Sequence, residues 1–149
     1  MPVINFKYSD LCSLLGKEVP QEVLGERIPL IGADMHQTEG FREDMSVEFF
    51  PDRPDLFSVE GLARALRAFL DIEPGLKKYV VEDPDCEAVI ESPVLDVRPF
   101  FECAVIRDIE VTDDLIRSMM ELQEKLHMTI GRKRSKIAIG VHDLDKVAP

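Results

Sequence analysis

The 149-residue chain has no tryptophan, one asparagine (Asn5), three glutamines and three cysteines. Cys12, Cys86 and Cys103 are odd in number, far apart and form no C-x-x-C pair. That pattern excludes a disulfide framework or a cysteine zinc module and suits a reducing, intracellular compartment. Long apolar runs are also missing. The longest stretch without Asp, Glu, Lys or Arg is six residues, as in Ile28–Ala33, whereas a membrane-spanning helix needs about 20 apolar residues. Met1–Phe6 has neither the basic start nor the apolar core of a secretory signal. The expected location is therefore the cytoplasm, with no membrane partner. Among eight glycines and three histidines there is no G-x-G-x-x-G, Walker loop, G-x-S-x-G or H-E-x-x-H, which removes the common nucleotide, hydrolase and metalloprotease signatures.

Apolar residues make up 45% of the chain and charged residues 32%, the balance of a globular protein. The length suits one ordinary domain or two small ones, and a chain of this size buries roughly 68–70% of its unfolded surface. The formal net charge of −11 excludes a surface that binds DNA or an anionic membrane as a whole. Charge is unevenly spread. Residues 1–88 carry 9 basic and 18 acidic side chains, residues 89–149 carry 9 and 11, and 125–142 holds five cations without one carboxylate. An anionic partner belongs there.

Spacing predicts an α+β fold in two small lobes of short mixed sheets and helices. The first lobe is 1–70, the second 86–149, and the charged, Pro- and Gly-containing stretch 71–85 links them. In the first lobe strands are expected at 3–6, 30–36 and 46–50. A helix capped by Ser9 carries Leu11, Leu14 and Leu15 and stops at Gly16, and a second is opened by Pro20 over 21–27. Val59, Leu62, Ala63, Leu66 and Phe69 or Leu70 then give helical periodicity after Ser58. In the second lobe strands are expected at 88–90, 101–111 and 137–141. Between the last two, Thr112 caps a long helix whose apolar stripe is Leu115, Met119, Leu122, Leu126 and Ile130, with Gly131 at its end.

Four groups of residues have chemical potential. His142, Asp143 and Asp145, with His36 and His127 elsewhere, hold donors that could share a cation, against a polar loop in which Asp143 merely caps a turn. Cys103 and His127 could form a nucleophile–base pair, against an inert thiol buried in an apolar strand. In Pro51-Asp52-Arg53-Pro54-Asp55 two prolines fix the backbone around Arg53. This is either a recognition turn or, the favoured reading, a buried or half-buried ion-pair corner whose loss would cost about 3–5 kcal/mol. Arg132, Lys133, Arg134 and Lys136 follow a helix end, where they complement the helix's carboxyl terminus or contact phosphates.

The segment Pro51-Asp52-Arg53-Pro54-Asp55-Leu56-Phe57-Ser58-Val59-Glu60-Gly61-Leu62-Ala63-Arg64 resembles the P-N-R-x-D-x-x-S-x-x-G-x-A-R signature of the small N-terminal domain of phenylalanyl-tRNA synthetase beta subunits. Asp52 stands where bacterial members commonly carry Asn. Arg98–Phe100 leading into Cys103–Arg107, then Leu122–His127, Ile130–Arg134 and Ala138–Asp145 are similar to the archaeal and eukaryotic branch, at the opening of the editing domain. With their flanks these motifs span nearly the whole chain, although beta subunits of this family are far longer.

The resemblance implies the N-terminal part of a beta subunit: a small N-terminal domain at 1–70 and the incomplete start of the editing domain at 86–149. In the family two alpha and two beta chains assemble. The alpha chain attaches phenylalanine to its tRNA using ATP, and the beta chain hydrolyses tRNA mischarged with tyrosine, because binding alone rejects a near-isostere too weakly. The implied partners are the alpha subunit, a second beta subunit and phenylalanine tRNA. ATP and magnesium are implied for the full enzyme and no cofactor for this part, whose expected role is scaffolding and RNA contact without catalytic residues. By the same resemblance, Arg53, Asp55, Ser58 and Gly61 form the structural motif, and Arg132, Lys133, Arg134 and Lys136 are the RNA-contact candidates. Two rivals of other classes are a stand-alone acidic protein-interaction module and a small hydrolase built on Cys103 and His127.

Overall fold

The structure is a computed structural model, and it describes residues 2–35 and 40–147. The chain divides into two units: Met1–Leu76 with Thr112–Gly140, and Lys77–Val111 with Val141–Pro149.

The first unit is α+β. Its sheet has three strands, β1 (Val3–Lys7), β2 (Ala33–Asp34) and β3 (Asp44–Phe49), in the order β1-β3-β2 and antiparallel throughout. Register runs from Val3 opposite Glu48 to Lys7 opposite Asp44. Alternation along β1 and β3 sends Ile4, Phe6, Met45, Val47 and Phe49 into the core, as the two-residue side-chain period of a strand requires.

Helices α1 (Tyr8–Leu15), α2 (Gln21–Arg27) and α3 (Val59–Phe69) cover the sheet. They contribute Leu11, Leu15, Leu24, Leu62 and Leu66, all fully buried. The expected second helix, 21–27, is found with the same bounds. Helix α1 starts earlier than Ser9, which instead bonds the Glu43 carboxylate. Gly16 closes α1 at φ 71°, the left-handed conformation glycine adopts without strain. Arg67 of α3 caps the same helix end by donating from Nη1 to the Leu15 carbonyl at 2.7 Å, and its Nε donates to Glu73 at 2.9 Å. Tyr8 donates its hydroxyl to the Val19 carbonyl at 2.9 Å. Burial, with Cys12 beside it, pushes its phenol up to about 12, so it remains a donor at all ordinary pH.

The strand expected at 30–36 is mostly absent. Ile28–Ile31 forms a 3-10 turn, closed by Gly32 at φ 86°, and only Ala33–Asp34 pairs with β3. Pro29 stands at the start of this turn, a position where proline's fixed φ favours a helical turn. His36 lies outside the described residues.

Helix α5 (Asp113–Met128) belongs to this first unit. Thr112 caps it, the hydroxyl accepting from Leu115 N–H at 3.2 Å. Leu122 and Leu126 of the expected apolar stripe pack against the core, and Ser118 donates to Glu60 of α3 at 2.7 Å. A reading along the chain groups α5 with its sequence neighbours; tertiary packing puts it beside α3.

The second unit holds the short helix α4 (Ser92–Leu95) and a 3-10 turn at Leu144–Lys146. Its Arg107 pairs with Asp85 at 2.6 Å. Strands expected at 88–90 and 101–111 are not formed, nor is the one at 137–141, which runs from the first unit into the second. The alternation is present in the sequence, but a strand also needs a ladder partner, and among the described residues none pairs with these segments. Many apolar side chains of the second unit are exposed, among them Val80, Val81 and Phe100.

Candidate nucleic-acid interface

The Pro51–Arg64 motif is a device for starting α3. Pro54–Leu56 forms a 3-10 turn. Ser58 has extended backbone and its hydroxyl accepts from Gly61 N–H at 3.1 Å, satisfying one of the free donors of the first helical turn. Glycine is required at 61, since a Cβ there would stand 1.9 Å from the Asp55 carbonyl oxygen. Arg53 grips Asp55 with two bonds, Nε to Oδ1 at 2.9 Å and Nη2 to Oδ2 at 2.8 Å. That pair corrects the expectation of burial. The side chains remain 44% and 39% exposed, so the corner lies at the surface and is at most half-buried. Arg53 holds the Asp55 carboxyl below its ordinary value.

The two motifs that carry the resemblance meet in space. Pro51 of the first and Glu124 and Lys125 of the second, with Pro2, Met128 and Thr129, line one shallow open groove within the first unit.

Beyond that groove the chain leaves α5 through an unusual turn. Gly131 is buried, and an added Cβ would stand 2.7 Å from the His127 carbonyl oxygen, so only glycine lets the turn close on the helix end. Arg132, Lys133 and Arg134 follow with φ values of 47°, 56° and 64°. Three successive left-handed side-chain-bearing residues are costly, about 1–2 kcal/mol each. The turn is held by Arg132 N–H to the Thr129 carbonyl at 3.0 Å, Arg134 N–H to the His127 carbonyl at 3.2 Å and Lys136 N–H to the Gly131 carbonyl at 3.0 Å. Ser135 closes it further by donating its hydroxyl to the Arg132 carbonyl at 2.7 Å.

The side chains of 132–136 are all exposed. Arg134 bonds the Glu124 carboxylate of α5. Arg132, Lys133 and Lys136 have no carboxylate partner among the described residues, so three like charges stand together at the surface. Exposed cations of this kind attract anions, phosphate groups among them.

The remaining candidates are accounted for differently. Asp143 caps the 3-10 turn by accepting from Asp145 N–H at 3.2 Å and pairs with Lys146 at 3.2 Å. Among the described residues no group of His, Cys, Asp and Glu is placed to hold a metal ion. Cys103 is exposed, not buried in a strand as expected. His127 is only 4% exposed, and its Nε2 accepts from Ile139 N–H at 2.7 Å, so no free base is available for a thiol. This engagement of His127 lies beyond sequence reasoning. Its only signal is an i,i+4 relation to Gln123, whose side-chain amide donates to the Ile139 carbonyl. No described helix is long and apolar enough to cross a membrane.

No family profile matches the chain. Individual proteins do. The phenylalanine–tRNA ligase beta subunit of Methanosarcina barkeri is 50% identical over 149 residues, covering 100% of this chain and 27% of that protein. The beta subunit of Archaeoglobus fulgidus is 48% identical over 147 residues, covering 99% and 26%. The chain thus spans about a quarter of the length of these relatives. A crystal structure of an N-terminal fragment of the phenylalanyl-tRNA synthetase beta subunit from Pyrococcus horikoshii superposes with a TM-score of 0.86 at 31% identity, covering 99% of this chain and 44% of that one. The α+β fold, the two motifs and similarity along the whole of this chain at about half identity agree: the chain belongs to the archaeal-type phenylalanyl-tRNA synthetase beta-subunit family.

Proposed function

We propose that this chain is the N-terminal part of a phenylalanine–tRNA ligase beta subunit, working in the cytoplasm with an alpha subunit, a second beta subunit and phenylalanine tRNA. Its own part is scaffolding and RNA contact. Residues 86–149 lead into an editing domain that removes tyrosine from mischarged tRNA. The observation that carries this reading is the similarity over the entire chain to relatives of that name. ATP and magnesium belong to the full enzyme. The described residues offer no cluster suited to magnesium, so no step is assigned to either here.

Within that role Arg132, Lys133 and Lys136 contact tRNA phosphates, while Arg134 is tied to Glu124 and shapes the turn. An overall charge of −11 repels RNA, so a local cluster of unpaired cations is needed to receive it. Each neutralised phosphate releases counterions, giving a salt slope of about −0.7 to −0.9 per contact. The test is a full-length subunit, assembled with its partner chain, in which Arg132, Lys133, Arg134 and Lys136 are changed to Gln. Weaker tRNA binding with a flatter salt dependence, and unchanged phenylalanine activation, is expected. Unchanged affinity and slope would reject the RNA role and leave the turn as a complement to the carboxyl end of α5.

A further inference from the structure

His127 is buried at 4% exposure, yet among the described residues its Nδ1 has no hydrogen-bond partner, a carboxylate oxygen of Glu124 being 4.0 Å away. A buried imidazole with one unsatisfied nitrogen is a poor choice for packing alone. What it does with its other atoms is specific. The ring Nε2 accepts from Ile139 N–H at 2.7 Å, and the His127 backbone carbonyl accepts from Arg134 N–H at 3.2 Å. One residue therefore holds the chain on both sides of Ser135 and Lys136. Gln123, one helical turn earlier, donates to the Ile139 carbonyl, so the Ile139 residue is clamped by both its backbone groups from one face of α5. Acceptance at Nε2 places the ring hydrogen on Nδ1.

We propose that His127 is a positioning residue for phosphate contact: by clamping Ile139 and Arg134 it holds the left-handed turn at 132–134, and so presents Arg132, Lys133 and the following Lys136 to an RNA backbone. The inference rests on the RNA role given above. The turn is conformationally unfavourable for side-chain-bearing residues, with φ between 47° and 64° at three successive positions, and like charges in it repel. Strain of this kind persists only where the surroundings hold it. Released on its Ile139 side, the segment relaxes to right-handed or extended backbone, and the cations scatter.

The test compares His127→Gln with His127→Asn in the full-length subunit assembled with its partner chain. Glutamine brings an amide oxygen to the place of Nε2, whereas the shorter asparagine reaches only the place of Nδ1. Binding of a phenylalanine tRNA transcript is measured across a salt series, with thermal unfolding in parallel. His127→Gln should keep the native salt slope. His127→Asn should reduce its magnitude by about 2, equivalent to two lost phosphate contacts, at a thermal midpoint matched to that of His127→Gln. The Gln variant losing slope as the Asn variant does, or both keeping it, overturns the positioning role. A lower slope in Asn explained wholly by partial unfolding, seen as recovery of the native slope at a lower temperature, overturns it as well. The quadruple Gln variant at 132, 133, 134 and 136 separates the two readings. If it binds tRNA like the native protein, the RNA role itself fails; if it loses affinity while His127→Asn does not, only the clamp fails.

Discussion

A methyl group added at Gly61 would stand 1.9 Å from the Asp55 carbonyl oxygen, with the Ser58 hydroxyl 3.5 Å away. The Ser58 hydroxyl is at ordinary contact distance; the clash is with the Asp55 backbone, which no rotamer change relieves. Gly61→Ala should therefore lower stability by about 1–3 kcal/mol or more, read as a reduced urea midpoint. Arg53→Ala, in the same motif, should behave differently. Its pair with Asp55 is bidentate but more than a third exposed, and exposed pairs contribute about 0–1 kcal/mol. The pH dependence has a definite sign. Arg53 holds the folded-state pKa of Asp55 below the ordinary 3.8, so the pair's contribution is present above that value and is lost as pH falls through the depressed one. The stability difference between native protein and Arg53→Ala should be constant from pH 7 to about 5 and should vanish in strong acid. A difference that grows on acidification would contradict this assignment.

Among the elements, α3 and α5 carry matching caps, Ser58 on Gly61 and Thr112 on Leu115. Removing the hydroxyl with Ser58→Ala should cost about 0.5–2 kcal/mol. Strand-like sequence without a partner behaves otherwise. Residues 101–111 alternate as a strand does, yet no described ladder includes them. Amide exchange should therefore be fast throughout 101–111 and slow at the ladder-bonded amides of β1 and β3, whose register runs from Val3–Glu48 to Lys7–Asp44. Protection of 101–111 equal to that of β1 would show that it has found a partner.

In the molecule as a whole, the core of the first 76 residues is completed by a helix that begins only at Asp113. Leu122 and Leu126 of α5 pack against it and Ser118 bonds Glu60. Cutting the chain after Leu76 should leave that core exposed where α5 lay. Burying an aliphatic side chain fully contributes about 1.5–3 kcal/mol, so two half-buried leucines contribute about 2–3 kcal/mol together. The 1–76 piece should unfold at a correspondingly lower urea concentration than the whole chain. An equal midpoint would show that α5 is a passenger on this surface.

Sequence by itself determined the α+β class, the bounds of α2, the capped starts of α3 and α5 and the family, because each depends on neighbours within a few residues. A cap needs Ser or Thr three positions before a free N–H, and a helix face needs apolar residues at intervals of three and four; both are written along the chain. It also singled out the basic turn, the candidate for the RNA contact proposed above. Tertiary structure alone decided the rest. How far Arg53 is covered depends on what packs around its turn. Whether 101–111 is a strand depends on a partner its own residues cannot supply. His127 became a clamp because α5 ends where Ile139 returns to it, bringing together groups 12 residues apart through a left-handed turn that no local propensity of Arg or Lys would foretell.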